Sequence, residues 1–161
     1  MHRTDPPHAL RLTPHRAGTT VLAFDFGERR IGVAVGDAAV GIAHPLTTID
    51  AADRRRRFDA IAALIAEWRP TQLVVGLPAH LDGAEHELSR LARKFAAQIS
   101  GRFALPVQLV DERLTSAIAE ASLAAASVAP RKRKARIDQI AAQEILQDSF
   151  DTAKRAARER T

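Results

Sequence analysis

The chain has 161 residues, 24 Lys and Arg against 19 Asp and Glu, a formal net charge of +5 and no cysteine. It is long enough to bury the core of a single domain, and disulfide frameworks, thiolate zinc sites and thiol catalysis are excluded. The basic surplus suits a polyanionic partner, either nucleic acid or an acidic membrane surface, while the absence of any run near the roughly 18 to 20 apolar residues of a membrane span predicts a soluble, cytoplasmic protein that does not insert in a membrane.

Residues 1–18, rich in Pro, His and Arg without a long apolar stretch, read as a disordered basic tail rather than a secretory signal. The globular domain is expected over residues 19–150, with residues 151–161 a charged helix end or tail. From Thr19 the pattern has period 2, with Val21, Ala23 and Asp25 on one face and Leu22, Phe24 and Phe26 on the other, which predicts a strand ending at Gly27. A second strand is expected over Arg30–Gly36 and a third over about Val40–Leu46. Their short connections imply an antiparallel meander.

Asp50 is the expected cap of a first helix, with Asp53 in its first turn. Phe58, Ile61, Ala62, Ile65 and Trp68 follow at helical spacing before Pro70. Gln72–Gly76 predicts a short buried strand, followed by the turn-rich stretch LPAHLDG. A second amphipathic helix carries Leu88, Leu91, Ala92, Phe95 and Ile99 and is expected to stop at Gly101. Pro106–Val110 predicts a fifth strand, Ser116–Ala126 a third helix, and a fourth helix begins near Asp138 after a basic loop. The whole predicts an α/β protein, a five-stranded mixed sheet whose strands one, four and five are parallel and whose helices flank it. The carboxyl ends of parallel strands line the ligand crevice of such sheets, so residues there are natural neighbours.

Three acids stand out. Asp25 lies late in an apolar strand, where an ionised carboxylate costs several kcal/mol unless it is paired or bound to a metal; alone, it reads equally as a strand-ending turn residue. Asp111 and Glu112 follow the fifth strand, and alternation sends them to opposite faces, so only one is expected in a shared site. Otherwise Asp111 serves a turn and Glu112 pairs with Arg113. Asp138 is in line with Ala141, Ala142 and Ile145 at i+3, i+4 and i+7, on the packed face of the last helix, with simple capping as the alternative. Mg²⁺ or Mn²⁺ prefers oxygen ligands, and acids from separate elements meeting at one point suit such an ion. Two ions roughly 3.5 to 4 Å apart can activate a water for in-line attack on phosphorus without a histidine base.

Basic residues cluster twice, at Arg54–Arg57 and at Arg131, Lys132, Arg133, Lys134 and Arg136. The second run immediately precedes Asp138, so it is the better candidate for bringing phosphates to the acids. The first reads equally as a solvated face. Arg30 and Arg113 are placed to orient carboxylates or bind phosphate, or to form structural ion pairs. Asp37 reads as a turn residue. Asp82 and Gly83 read as a tight turn, with backbone contact to phosphate as the alternative, and His80 and His86 lack zinc spacing and read as exposed.

The strings DFGERRIGVAVGD, VVGLPAHLDG, VDERLTSAIAE and RKRKARIDQIAAQEIL resemble, in order and spacing, the YqgF/RuvX family, described both as Holliday junction resolvases and as nucleases that process the 5′ end of pre-16S rRNA. The resemblance runs from about Val21 to Phe150. It implies an RNase H-like fold and a metal-dependent nuclease of two-metal-ion type, acting as a monomer or weak homodimer in ribosome biogenesis or in DNA recombination. It also implies that the acids Asp25, Glu112 and Asp138 are both the catalytic and the metal-binding set. Here the second acid follows strand five, whereas related resolvases carry theirs on strand four, where this chain has Gly76, Leu77 and Pro78. Where the family commonly has Asn after GLP, this chain reads Ala79, His80, Leu81.

Two rivals remain. The sugar-kinase, actin and chaperone ATPase group also opens with D-x-G, but those chains duplicate the fold, and no P-loop is present here. A non-catalytic nucleic-acid-binding assembly factor would keep the basic surface without needing all three acids.

Overall fold

The computed structural model describes residues 18–78, 83–112, 124 and 129–160, with residues 83–86 described by backbone alone. Five strands form one sheet, β1 (Thr20–Asp25), β2 (Arg30–Asp37), β3 (Ile42–Asp50), β4 (Gln72–Leu77) and β5 (Val107–Asp111), in the spatial order β3-β2-β1-β4-β5. The first three are antiparallel neighbours, whereas β1, β4 and β5 run parallel. This is the five-stranded mixed sheet, with strands one, four and five parallel, that the strand pattern predicted. The described helices are α1 (Arg54–Trp68), α2 (Gly83–Phe103) and α3 (Pro130–Glu159).

The period-2 pattern of β1 divides the core in two. Leu22, Phe24 and Phe26 face one side together with Ile31, Val33, Leu73 and Val75, and α1 and α2 cover them with Phe58, Ile61, Phe95 and Ile99. Phe95 is the centre of this layer, its ring 5.9 Å from Phe24 and 5.0 Å from Phe26. Each large side chain fully buried here contributes about 1.5–3 kcal/mol. On the other side Val21, Ala23, Ala34, Ala43, Val74 and Val110 meet Ala142, Ile145, Leu146 and Phe150 of α3.

Several boundaries differ from the sequence reading. β3 runs over Ile42–Asp50 rather than Val40–Leu46, its Pro45 tolerated because β3 is an outer strand. Asp53, not Asp50, caps α1, its carboxylate accepting from the backbone N–H of Arg55 and Arg56. Helix α2 runs past Gly101 to Phe103, because Phe103 and Leu105 pack on the core, and the left-handed residue after it is Ala104. The largest change is in α3. It starts at Pro130, so Arg131–Arg136 form its first turns and not a loop, and Asp138 lies two turns inside the helix, where it cannot cap it. The helix expected over Ser116–Ala126 lies outside the described residues except for Ala124, as do Arg113, the tail 1–17, and Ala79, His80, Leu81 and Asp82.

Helix α3 also closes the outer edge of the sheet. Gln139, Gln143 and Gln147, spaced by four residues, face β3: Gln139 donates to Thr48, Gln143 to the Ala43 carbonyl, and Gln147 accepts from the Ala43 N–H while donating to Gly41 O. Side-chain amides thus satisfy backbone groups that an outer strand leaves open.

Candidate active site

Because β1, β3, β4 and β5 are mutually parallel, their carboxyl ends lie at one end of the sheet, with the start of β2 between them. Asp25 ends β1 on the α3 face. Its register partner on β2 is Gly32, and one step beyond the Phe24–Val75 pair on its other side comes Gly76 of β4. Glycine inside a strand commonly marks a close approach by another group, and both glycines do so here. A Cβ at Gly32 would collide with the Asp138 carbonyl oxygen, and one at Gly76 would lie 2.9 Å from Glu112 Cγ and still closer to Ile145 Cδ1. The backbone of α3 therefore lies directly on Gly32, while the Glu112 side chain crosses the empty position at Gly76 toward Asp25.

That path answers the displacement of the second acid from strand four to the end of strand five. Glu112 follows Val110 by two residues and so shares its α3 face, and its N–H is held by Leu77 O at 2.7 Å. Asp111 is exposed and, by alternation, turned the other way. Of this acidic pair, Glu112 is the one whose side chain lies beside Asp25.

Electrostatics bear out the convergence. Burial raises the Asp25 pKa well above the ordinary 3.8, and a hydrogen bond with Glu112 and the charges of Glu112 and Asp138 push it further the same way. The ionised form of Asp25 is therefore disfavoured in this setting. Asp138 is steadied differently: Arg30 Nε donates to its Oδ2 at 2.7 Å, with side-chain exposures of 40% for Arg30 and 20% for Asp138. Arg30 therefore forms the ion pair that was one of its two sequence readings, and its Nη groups have no hydrogen bond among the described residues.

The donor set suits a hard divalent cation: the Asp25 carboxyl shares a hydrogen bond with Glu112 and feels the charge of Asp138, a repulsion that such a cation would remove. Among the described residues no three acidic or imidazole groups are drawn close enough to form a finished cage, since Asp25 and Glu112 share a hydrogen bond and Asp138 leans on Arg30.

Of the basic residues, Arg131, Lys132, Lys134 and Arg136 are exposed on the first turns of α3, while Arg133 is partly buried. Arg131 and Lys134 precede Asp138 by seven and four residues and so share its side of the helix. In the other run, Arg57 was not distinguishable from its neighbours by sequence. It turns inward, donating to Ala51 O at 2.8 Å and Glu28 O at 3.5 Å with its guanidinium 5.6 Å from the Phe26 ring centroid. Asp37 is a turn residue as expected, accepting from Ala39 N–H.

A model of the RuvX family, described as Holliday junction resolvase, matches residues 19–152. The chain belongs to this family. A protein of Methylobacillus flagellatus is 60% identical over 131 residues, covering 81% of this chain and 90% of that one. One from Chromobacterium violaceum is 63% identical over 131 residues, covering 81% and 96%. Both bear the name "Putative pre-16S rRNA nuclease". Among solved structures, T. thermophilus RuvC in complex with a Holliday junction substrate shares 16% identity with this RuvX-family chain at a TM-score of 0.49, covering 84% of this chain and 96% of that one, a likeness too remote to carry function. No described helix is long and apolar enough to cross a membrane.

Proposed function

We propose that this chain is a nuclease that hydrolyses phosphodiester bonds in structured nucleic acid in the cytoplasm, with the 5′ end of precursor 16S rRNA as its substrate. The observation that carries this is the convergence of Asp25, Glu112 and Asp138, seen in the strongly raised Asp25 pKa and in the two glycines that clear room on either side of it. The relatives' names supply the choice of RNA.

Asp25, Glu112 and Asp138 would hold Mg²⁺ or Mn²⁺, which when bound supplies Lewis acidity and a more acidic water at the scissile phosphorus. The chain's own part is preorganisation. Arg30 fixes the Asp138 carboxylate, Gly32 seats the helix that carries it, and Gly76 lets Glu112 reach across one strand. A cation held there would favour the ionised form of Asp25, which burial and its acidic neighbours otherwise disfavour. Arg131, Lys132, Arg133, Lys134 and Arg136 draw the phosphate backbone toward the acids, a sequence-independent attraction that weakens with salt.

The family description favours a second reading, resolution of four-way DNA junctions. Symmetric cutting of a junction needs two active sites and hence a two-fold dimer, whereas trimming one RNA end needs only a monomer.

The test is a metal-dependent cleavage assay on precursor rRNA, four-way junctions and plain duplex. Asp25→Asn and Asp138→Asn should each abolish cutting while sparing binding, and undiminished cutting by both would refute the assignment. Preference for the junction over the precursor would replace RNA processing by resolution. Neutralising Arg131–Lys134 should weaken binding and flatten its salt dependence.

A further inference from the structure

Helices α1 and α3 lie on opposite faces of the sheet, yet both point their amino-terminal turns at the end that carries the acids. For α1 the contacts are direct. It follows β3, which ends there at Asp50, the register partner of Arg30. The Ala51 N–H is held by Arg29 O at 2.8 Å, and Arg57 reaches Glu28 O. The first turn of α1 therefore abuts the connection between β1 and β2, two to four residues beyond Asp25.

The four consecutive arginines of that turn separate by role. Arg57 is committed to the fold through Ala51, Glu28 and Phe26. Arg54, Arg55 and Arg56 are exposed and form no ion pair among the described residues; Arg54 only lies over the Phe58 ring at 5.8 Å. The acids before them are already engaged, Asp53 by the helix N–H groups and Asp50 by the Ala52 N–H. Burial lowers the Arg57 pKa and the charge of Arg54 lowers it further, while that of Glu28 opposes them. Arg29, exposed on the adjoining connection, adds to the same surface.

On this basis we propose that Arg54, Arg55 and Arg56, with Arg29, form a second phosphate-binding surface on the opposite side of the sheet from the basic turns of α3, which grips a second strand or arm of the nucleic acid cut at the acids. The inference rests on the reading of the chain as a nuclease. Helices packed on either face of a sheet lie about 20 Å apart, taking about 10 Å per layer. A helical strand advances about 3.4 Å per nucleotide and a stretched one about twice that, so a fragment of three nucleotides cannot bridge the two surfaces. A branched or duplex-armed substrate can. The second surface thus favours structured substrates over short single strands.

The test compares Arg54→Gln/Arg55→Gln/Arg56→Gln with the parent chain, both in an Asp25→Asn background for binding and in the active background for cleavage. Gln keeps the helix and the Asp53 cap, and a melting curve checks the fold. Binding to a 30-base-pair duplex-armed RNA should lose up to about 2.7 from the slope of log K against log salt, three contacts at about 0.9 each. Binding and cleavage of a three-nucleotide single strand should change less than twofold. An unaltered slope on the long substrate would overturn the second surface, as would an equal loss of affinity on both substrates. Failure of the parent to cleave any substrate sinks the nuclease reading instead, and the slope still decides the surface.

Discussion

The two faces of the sheet are built from opposite materials. Toward α1 and α2 the strands present Leu22, Phe24, Ile31, Val33, Leu73 and Val75, a bulky apolar layer that holds those helices off at side-chain distance. Toward α3 they present Ala23, Gly32, Ala34, Gly36 and Gly76, so that the helix backbone nearly touches the strands at Gly32 and Phe150 lies where a Cβ at Gly36 would meet it at 2.7 Å. The larger apolar cluster lies on the first face. The second gives up apolar volume to bring a carboxylate-bearing helix within reach of Asp25, and the acids sit only there.

The sharpest way to break this comparison is Asp25→Asn. It should lower cleavage by more than about 100-fold, since loss even of supporting groups costs 10–100-fold at such sites, and yet raise the melting temperature of the metal-free protein by removing a buried acid whose ionised form is disfavoured. A fall in melting temperature would show that Asp25 has a structural duty. Next comes a matched pair. Leu22→Ala on the bulky face should cost about 2–5 kcal/mol in denaturant unfolding while leaving the rate per folded molecule unchanged. Gly32→Ala should cost about 1–3 kcal/mol by overpacking and also cut the rate, because Asp138 moves with the helix. Equal effects on rate would erase the distinction between the faces.

Arg30→Gln should reduce cleavage about 10–100-fold and be partly rescued by Arg30→Lys, with little change in melting. The smallest effect is on pH dependence. The folded pKa of Asp25 lies above its unfolded value, so its stabilising contribution is complete below about 3.8 and is lost as pH rises through the raised folded value. The metal-free chain should therefore melt at lower temperature as pH climbs through that window, and Asp25→Asn should flatten this slope. A wild-type slope of opposite sign would contradict the raised pKa.

Much of this was legible in the sequence because strand alternation is a local property. Val21, Ala23 and Asp25 on one face and Leu22, Phe24 and Phe26 on the other follow from period 2, and the antiparallel meander follows from short connections. The start of α3 was not legible. Five basic residues at a helix amino terminus oppose the macrodipole, so the run reads as a loop although Pro130 is a good first helical residue. The fold overrides that cost by packing Ala142, Ile145, Leu146 and Phe150 on the sheet. The meaning of Gly32 and Gly76 was hidden as well, since glycine in a strand signals a close approach without naming what approaches. Arg57 and Arg54–Arg56 look alike in sequence and part company only through the Ala51 carbonyl and the Phe26 ring.

One helix carries both Asp138 and the three glutamines that bind β3, Gln143 and Gln147 at the Ala43 backbone and Gln139 at the Thr48 hydroxyl. A slip of α3 large enough to bare that strand, and so to let two molecules zip together along it, would also drag Asp138 out of place. The cover on the sheet edge and the position of Asp138 are therefore set by the same helix.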